Sequence, residues 1–287
     1  MTSLRESVAS NSLVQAMATH SPLSAKLAEE AGFNALWASG FELSAHYGLP
    51  DASLITMTQH IEMLRAIASA TSLPVVADID TGFGNAVNVV HAIHEYERAG
   101  AAAVVIEDKT FPKMTSLVAD GRQDLVRIEE FEGKIEAACA TRQSEDFLVI
   151  ARTEALIAGL SRDAALERGE AYAEAGADMI LIHSKQTSPH EIEAFIEAWG
   201  GCVPLVLVPT AYPDMTVERI KATGKVAMTI WGNHTVRAIV TALREAYRQI
   251  LSDGGIHQFD KQVASVAEIF HLQGMDKVKE IEKQFLR

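Results

Sequence analysis

Three carboxylates lie where two predicted strands end, and their spacing suggests a cation site. Asp78 and Asp80 follow the apolar residues 75–77, and Glu107 follows the apolar residues 104–106. Because Asp78 and Asp80 are two residues apart, an extended backbone points both side chains to the same face. Carboxylates gathered in this way repel one another unless a cation lies among them, and hard oxygen ligands favour Mg²⁺ or Mn²⁺ over zinc. The sequence therefore predicts a divalent-cation site.

Other predicted strand ends carry groups that suit an anion. The small residues Ser39 and Gly40 let backbone amides approach a negative charge. Arg152 offers a planar fork for carboxylate or phosphate, and His183 ends the sixth predicted strand.

Each of these groups also has an ordinary structural interpretation. Residues 80–82 would be a solvated turn and residues 39–40 another turn, while Glu107 would pair with a lysine. Arg152 would pair with Glu154, and His183 would be a structural histidine. Only the joint placement of these residues at neighbouring strand ends favours function, because active sites of α/β barrels lie there.

The elements that must position these residues follow from a repeated pattern of a helix end, a glycine and a short apolar run. Glycine just past a helix supplies the left-handed residue that ends it, and a short apolar run is typical of a buried parallel strand. Eight strands are predicted, near residues 13–18, 34–38, 74–79, 103–107, 147–151, 178–183, 203–208 and 226–230. Eight βα units predict one (β/α)8 TIM barrel, with a doubly wound open sheet as the alternative.

Two segments exceed a minimal barrel. Lys109–Gln123 is a long polar connection after the fourth strand, and such loops are typically lids or disordered insertions. The helical apolar pattern of Asp260–Leu286 is not required by eight units. We interpret residues 254–287 as a C-terminal helical extension of a single domain spanning 1–287, which serves oligomerisation or caps its own barrel.

Composition limits the classes of partner. The net charge of −13 argues against nucleic acid, which needs a basic surface. Cys139 and Cys202 lack metal-ligand spacing and indicate a reduced compartment. Residues 1–11 lack the apolar core of a signal peptide, and no apolar run approaches the roughly 18 residues of a membrane helix. A cytoplasmic protein without a membrane partner is expected.

At this point the motifs resemble the isocitrate lyase and phosphoenolpyruvate mutase superfamily over nearly the whole chain. The segments that carry the resemblance are 37–40 (Trp-Ala-Ser-Gly), 78–85 (Asp-Ile-Asp-Thr-Gly-Phe-Gly-Asn), 107–109 (Glu-Asp-Lys), 111–113 (Phe-Pro-Lys), 151–155 (Ala-Arg-Thr-Glu-Ala), 183–185 (His-Ser-Lys) and 268–273 (Glu-Ile-Phe-His-Leu-Gln).

The resemblance implies a set of site residues and an assembly. Mg²⁺, or Mn²⁺ or another divalent ion, would be held by Asp78, with Asp80 and Glu107 acting through waters. The residues implied to bind or transform the substrate are Trp37, Ser39, Gly40, Phe41, Asp51, Asp78, Lys113, Thr115, Ser116, Leu117, Arg152 and His183. A homotetramer, as a dimer of dimers that exchange C-terminal helices, is also implied.

Residues 113–117 distinguish the branches of this superfamily. Its carbon–carbon lyases carry Lys-Lys/Arg-Cys-Gly-His there, its mutases carry Asn-Ser-Leu, and this chain has Lys-Met-Thr-Ser-Leu, the version of its phosphonopyruvate hydrolases. The resemblance thus implies Mg²⁺-dependent hydrolysis of the C–P bond of an α-keto acid phosphonate, phosphonopyruvate, to pyruvate and phosphate. The alternatives are interconversion with phosphoenolpyruvate, a C–C lyase or oxaloacetate-type hydrolase, and a silent barrel that only binds a keto acid.

Overall fold

Eight parallel strands form a closed barrel in which neighbours in sequence are neighbours in space. This computed structural model describes residues 3–10, 12–118 and 120–287. The strands are β1 Val14–Thr19, β2 Ala35–Ala38, β3 Val75–Asp78, β4 Ala103–Glu107, β5 Leu148–Thr153, β6 Met179–Ile182, β7 Leu205–Leu207 and β8 Val226–Trp231. The predicted (β/α)8 barrel is confirmed, and each predicted strand overlaps an observed one.

Four residues lie outside the described part of the chain. Met1, Thr2 and Asn11 belong to residues 1–11, where no signal peptide is expected, and Ala119 belongs to the predicted lid.

The strands are apolar runs because both of their faces are covered. Side chains inside the barrel, such as Val76, Val105 and Ile150, pack on one another, whereas alternate residues such as Val104 and Val149 pack against the surrounding helices. This two-sided burial is typical of parallel sheets. The register aligns the last residues of adjacent strands, so that their carboxyl ends form one rim.

Helices alternate with the strands and are fixed at their N-termini by short polar caps. Thr56 and Gln59 form a capping box before the fourth helix, and Ser161 caps the seventh. The helices are α1 Leu4–Ala9, α2 Pro22–Glu30, α3 Gly40–His46, α4 Met57–Ala70, α5 Ala86–Arg98, α6 Ile128–Thr141, α7 Arg162–Glu174, α8 His190–Ala198, α9 Val217–Ala222 and α10 His234–Asp253.

The chain divides into two compact units, Met1–Thr235 and Val236–Arg287. The second unit holds most of α10, a short 3₁₀ helix at Phe259–Gln262, and two further helices, α11 Val266–Leu272 and α12 Met275–Phe285. Neither α11 nor α12 buries a described residue. The helical character expected for residues 260–286 is thus observed. The proposed single domain with an extension from residue 254 stays a prediction.

Among the described residues, no helix is both long enough and apolar enough to span a bilayer.

The turn after β3 depends on a glycine. Gly82 has a φ of +82°, and a Cβ at this position would lie 2.5 Å from Cγ2 of Val89. Its amide donates a hydrogen bond of 2.9 Å to the carbonyl of Ile79, which closes the turn that carries Asp80. A side chain at residue 82 would therefore disturb the rim of the barrel.

We predict that Gly82→Ala lowers the free energy of unfolding by about 1–3 kcal/mol, because the positive φ and the contact with Val89 both oppose a methyl group. Chemical denaturation measures this change. Gly133→Ala is the control, since a Cβ on that residue of α6 meets nothing within 4 Å and is expected to stabilise by about 0.5–1 kcal/mol. A wild-type unfolding midpoint for Gly82→Ala would contradict the argument.

Candidate active site

A small cleft opens at the carboxyl ends of the strands, where the barrel fold positions active sites. Its cavity volume is about 90 Å³, which is smaller than the pockets that take drug-sized ligands. It is lined by Trp37, Ser39, Phe41, Asp51, Asp78, Lys113, Thr115, Ser116, Leu117, Arg152, His183, Val208, Thr210, Gly232 and Asn233. Residues from six of the eight strand ends and from the lid segment (residues 109–123) thus face one space.

The acidic residues of β3 and β4 are buried together at this rim. Asp78 ends β3, and its Oδ2 accepts a hydrogen bond of 3.3 Å from the amide of Gly40. The backbone carbonyl of Asp80 accepts 2.8 Å from the amide of Glu107, which ties the two strand ends together. A Cβ on Gly40 would lie 3.0 Å from Oδ1 of Asp80, so a glycine is needed where the backbone approaches these carboxylates.

A lysine of the lid segment lies among the carboxylates. Nζ of Lys113 is 2.9 Å from Oδ1 of Asp51 and 2.8 Å from Oδ1 of Asp80. Burial would lower the pKa of Lys113, but Asp80 and Asp51 outweigh it and raise the pKa well above its ordinary value. Burial also raises the pKa of Asp80 to about 7, helped by Asp78 and opposed by Lys113. Charge at this rim is therefore only partly compensated by protein.

The uncompensated oxygens fit a hard divalent cation. Both carboxylate oxygens of Glu107 are buried and accept no hydrogen bond, whereas Oδ1 of Asp80 accepts none but has the Lys113 ammonium 2.8 Å away. Burial raises the pKa of Glu107, a cost that a cation would remove. Among the described residues, no three His, Cys, Asp or Glu side chains converge to hold an ion alone. The donors therefore suit an ion that keeps part of its water shell, as Mg²⁺ does.

Arg152 lies at the end of β5 and is almost fully buried. Its Nε donates 2.6 Å to Oε1 of Glu154 and lies 3.5 Å from Oε2 of Glu107. Its Nη2 donates 2.9 Å to Oγ of Ser116 on the lid segment. The ion pair with Glu154, which sequence reasoning treated as an ordinary alternative to function, does form, and it orients the guanidinium at the cleft.

His183, just after β6, faces the cleft as a neutral imidazole. Burial and the positive charges of Arg152 and Lys109 together lower its pKa to about 4, against the opposing charge of Glu154. Its Nδ1 is buried without a hydrogen-bond partner. At neutral pH the ring adds no charge and has a single N–H, and its hydrogen bond with the backbone of Val208 competes with a ligand oxygen for that donor.

The lining of the cleft brings together most of the predicted site residues. Gly40, Asp80 and Glu107 do not line it but lie directly behind it, through the contacts given above. The sequence left the ends of the seventh and eighth strands less decisive and assigned no role to the lining residues there, Val208, Thr210, Gly232 and Asn233. Their only signal was their position at strand ends, because nothing in their side chains indicates chemistry.

The closed barrel, with polar residues gathered at the carboxyl ends of its strands, is the arrangement of α/β-barrel enzymes. The amino-acid sequence identifies the family of α/β-barrel enzymes to which the chain belongs. The chain belongs to the phosphoenolpyruvate phosphomutase family, whose sequence model matches residues 4–251. The resemblance inferred from the motifs is thereby confirmed.

Individual relatives are similar over almost their whole length. Phosphonopyruvate hydrolase of Variovorax sp. (strain Pal2) is 58% identical over 284 residues, covering 99% of this chain and 98% of that protein. Phosphoenolpyruvate phosphomutase of Tetrahymena pyriformis is 42% identical over 285 residues, covering 99% and 95%. A solved structure of phosphonopyruvate hydrolase in complex with oxalate and Mg²⁺ superposes with a TM-score of 0.94 at 56% identity, covering 99% of this chain and 98% of that one.

The depressed pKa of His183 makes the stability of the protein depend on pH. The unfolded chain protonates this histidine near pH 6.5, whereas the folded protein does so only near pH 4. Its contribution is therefore fully present above pH 6.5 and is lost as the pH falls towards 4, by up to about 1.4 kcal/mol per pH unit.

Urea denaturation at pH 7 and at pH 5 measures how far the free energy of unfolding falls on acidification. We predict that this fall is smaller in His183→Gln than in the wild type, because the variant has no histidine at this position to protonate. The control is His91→Gln on the exposed side of α5, which is expected to keep the wild-type difference. Equal pH dependence in wild type and His183→Gln would show that His183 is not held neutral.

Proposed function

We propose that this protein hydrolyses the C–P bond of phosphonopyruvate, an α-keto acid phosphonate, to pyruvate and phosphate. The observation that carries the proposal is the cleft itself, in which buried carboxylates suited to a divalent cation face the fixed donors of Lys113, Arg152 and His183. Its small volume suits a three-carbon acid with one phosphoryl group. The 58% identity to a phosphonopyruvate hydrolase over nearly the full chain supports the same reaction.

The cation of this proposal is Mg²⁺, with Mn²⁺ as a substitute. Asp78 would bind it directly, and Asp80 and Glu107 would do so through water, in keeping with the lack of a three-ligand group in the described ranges. When bound, Mg²⁺ supplies a Lewis acid for the negative charge that develops on the keto oxygen of the substrate. The superposable hydrolase structure with oxalate and Mg²⁺ supports this choice of ion.

The residues of the chain would hold the two ends of the substrate. The backbone at Ser39, Gly40 and Phe41 would receive the carboxylate, and the indole of Trp37 would form one wall. Ser116 and Leu117 would close the lid side of the cleft.

The phosphoryl group would lie among the fixed donors. In the reaction a water oxygen forms a bond to phosphorus, the C–P bond breaks, and its electron pair forms the pyruvate enolate. The proton that the water loses balances the one that the enolate takes at carbon. Lys113, Arg152 and neutral His183 would hold the phosphoryl oxygens in the loose transition state, each contributing about 2–4 kcal/mol. Asp51 keeps the Lys113 ammonium in place, since the two lie 2.9 Å apart.

Thr115 is the residue proposed to decide between hydrolysis and rearrangement. It lines the cleft, and its backbone is fixed by a hydrogen bond from its amide to the carbonyl of Asp51, at 3.1 Å, and by one from Gln123 to its carbonyl, also at 3.1 Å. A threonine side chain leaves room for an attacking water that an asparagine would displace. The alternative function, a phosphoenolpyruvate mutase, requires that water to be excluded.

The assembly is proposed to be a homotetramer, a dimer of dimers in a cytoplasmic setting, with C-terminal helices exchanged between subunits. The support lies in the second unit, which exposes many large apolar side chains that a lone chain leaves in water. They include Leu243, Tyr247, Leu251, Ile256, Val266, Phe270, Ile281 and Phe285.

A product assay tests the proposed function. The enzyme is incubated with phosphonopyruvate and Mg²⁺ and followed by ³¹P NMR, and a signal of inorganic phosphate is expected to grow and to stop when a chelator removes the metal. A phosphate-ester signal instead would establish the mutase alternative. Turnover that persists at full rate in excess chelator would refute the metal assignment.

We predict that Thr115→Asn slows phosphate release by about 100-fold, because a displaced or misplaced water loses its line of attack. Thr110→Asn is the matched control, since this lid residue does not line the cleft, and near wild-type turnover is expected for it. Pyruvate production at the wild-type rate by Thr115→Asn would show that Thr115 does not direct the water.

A further inference from the structure

The lid segment is pinned to the barrel at both of its ends. Lys109 and Leu125 form an antiparallel bridge, and the amide of Val126 donates 2.9 Å to the carbonyl of Asp108. The part that covers the cleft lies between these ends and needs its own fixed contacts. Within it, Lys113 and Ser116 are buried.

The hydroxyl of Ser116 is one of the contacts between the lid segment and the barrel, beside that of Lys113 with Asp80. It accepts hydrogen bonds of 2.8 Å from Nζ of Lys109 and of 2.9 Å from Nη2 of Arg152, and it donates one to Oε2 of Glu154. A serine hydroxyl has one donor and two acceptor positions, so all three are used. At Ser116 the lid is therefore held by two cations and one carboxylate.

The side chain of Lys109 also binds Ser116 and Glu154. Its ammonium donates 2.9 Å to the carbonyl of Met114 and 2.8 Å to Oγ of Ser116, and it lies 2.9 Å from Oε2 of Glu154. These three acceptors account for all three N–H groups. The lysine is fully buried, so none of these contacts competes with bulk water. Two of the three contacts lie within the lid segment, and the third joins it to Glu154, directly after β5.

Glu154 joins the lid to the phosphoryl-binding arginine. Its Oε1 accepts 2.6 Å from Nε of Arg152, while its Oε2 serves Ser116 and Lys109. Its own amide is fixed by Oδ1 of Asp108 at 2.8 Å. Burial alone would raise the pKa of Glu154, but Arg152 and Lys109 outweigh it and keep the group ionised.

The strand register explains why these residues meet. Glu107 on β4 is paired with Arg152 on β5, and Lys109 and Glu154 each follow two residues later. Residues two apart on extended chains face the same side, so the lysine and the carboxylate project over the rim together. Lys109 and Glu154, which contact Ser116 of the lid segment, thus directly continue strands β4 and β5.

We propose that Glu154, with Lys109 as its partner, is a positioning residue that latches the lid segment over the cleft and sets the orientation of Arg152. Lid closure and the placement of this arginine are then coupled, because one carboxylate serves both. The consequence for phosphoryl binding rests on the proposed function, but the latch does not.

The experiment compares the wild type with Glu154→Gln and with the double variant Lys109→Gln/Glu154→Gln. Removing only the carboxylate charge leaves a buried lysine unpaired, whereas removing both charges leaves a neutral pair. Hydrogen exchange of the lid peptides, and trypsin cleavage after the buried Lys113 detected by mass spectrometry, are measured without substrate. Both rates are expected to rise by at least about tenfold in Glu154→Gln and by less in the double variant.

Turnover of phosphonopyruvate is measured on the same proteins. Glu154→Gln is expected to raise KM and lower kcat together, since both closure and the arginine are disturbed, and the double variant should recover part of each. Asp178→Asn is the control, because this carboxylate also pairs with two arginines, Arg5 and Arg142, away from the cleft. Its lid exchange is expected to match the wild type.

Two results would overturn the latch. One is wild-type lid exchange and cleavage in Glu154→Gln, and the other is an increase spread over the whole barrel rather than confined to the lid. Failure of the proposed function looks different, because the wild type would then release no phosphate while the lid of Glu154→Gln still loosened.

Discussion

Buried charge at the carboxyl rim of the barrel is the constraint on which the site depends. A closed parallel barrel removes both faces of each strand from water, so an acidic residue at a strand end has to find a cation or remain costly. Lys113 compensates Asp51 and Asp80, and Arg152 compensates Glu154. The oxygens of Glu107 are left without hydrogen bonds. The five buried carboxylates of Asp51, Asp78, Asp80, Glu107 and Glu154 outnumber the three buried cations of Lys109, Lys113 and Arg152 by two, which is the charge of one divalent ion.

The fold was predictable from the sequence because each strand is a short apolar run with a glycine or a helix end before it. That pattern depends on local sequence alone, and all eight runs became neighbours in one barrel. The main site residues were predictable for a related reason. Asp78, Glu107, Arg152 and His183 occupy strand ends, and closure of the barrel brings such positions together whatever their separation in sequence.

The remaining features depend on loop conformation, which periodicity does not encode. The insertion of Lys113 between two aspartates and the pairing of Lys109 with Leu125 are set by the path of the lid segment. The contribution of Thr210 and Asn233 to the cleft arises from the turns after β7 and β8. Pairing partners were equally ambiguous: the ordinary alternative for Glu107 was an ion pair with a lysine, whereas Lys109 pairs with Glu154 and the cation nearest Glu107 is Arg152, at 3.5 Å.

The pinned ends of the lid segment have a consequence for how such barrels diverge. The pins are backbone hydrogen bonds at residues 108–110 and 124–126, and they make little demand on side-chain identity. Replacement of the intervening residues therefore leaves strand register and the barrel interior untouched, and lengthening this loop adds little closure entropy. Substitutions in the lid segment can therefore change which nucleophile reaches the cleft, while the barrel keeps the same fold.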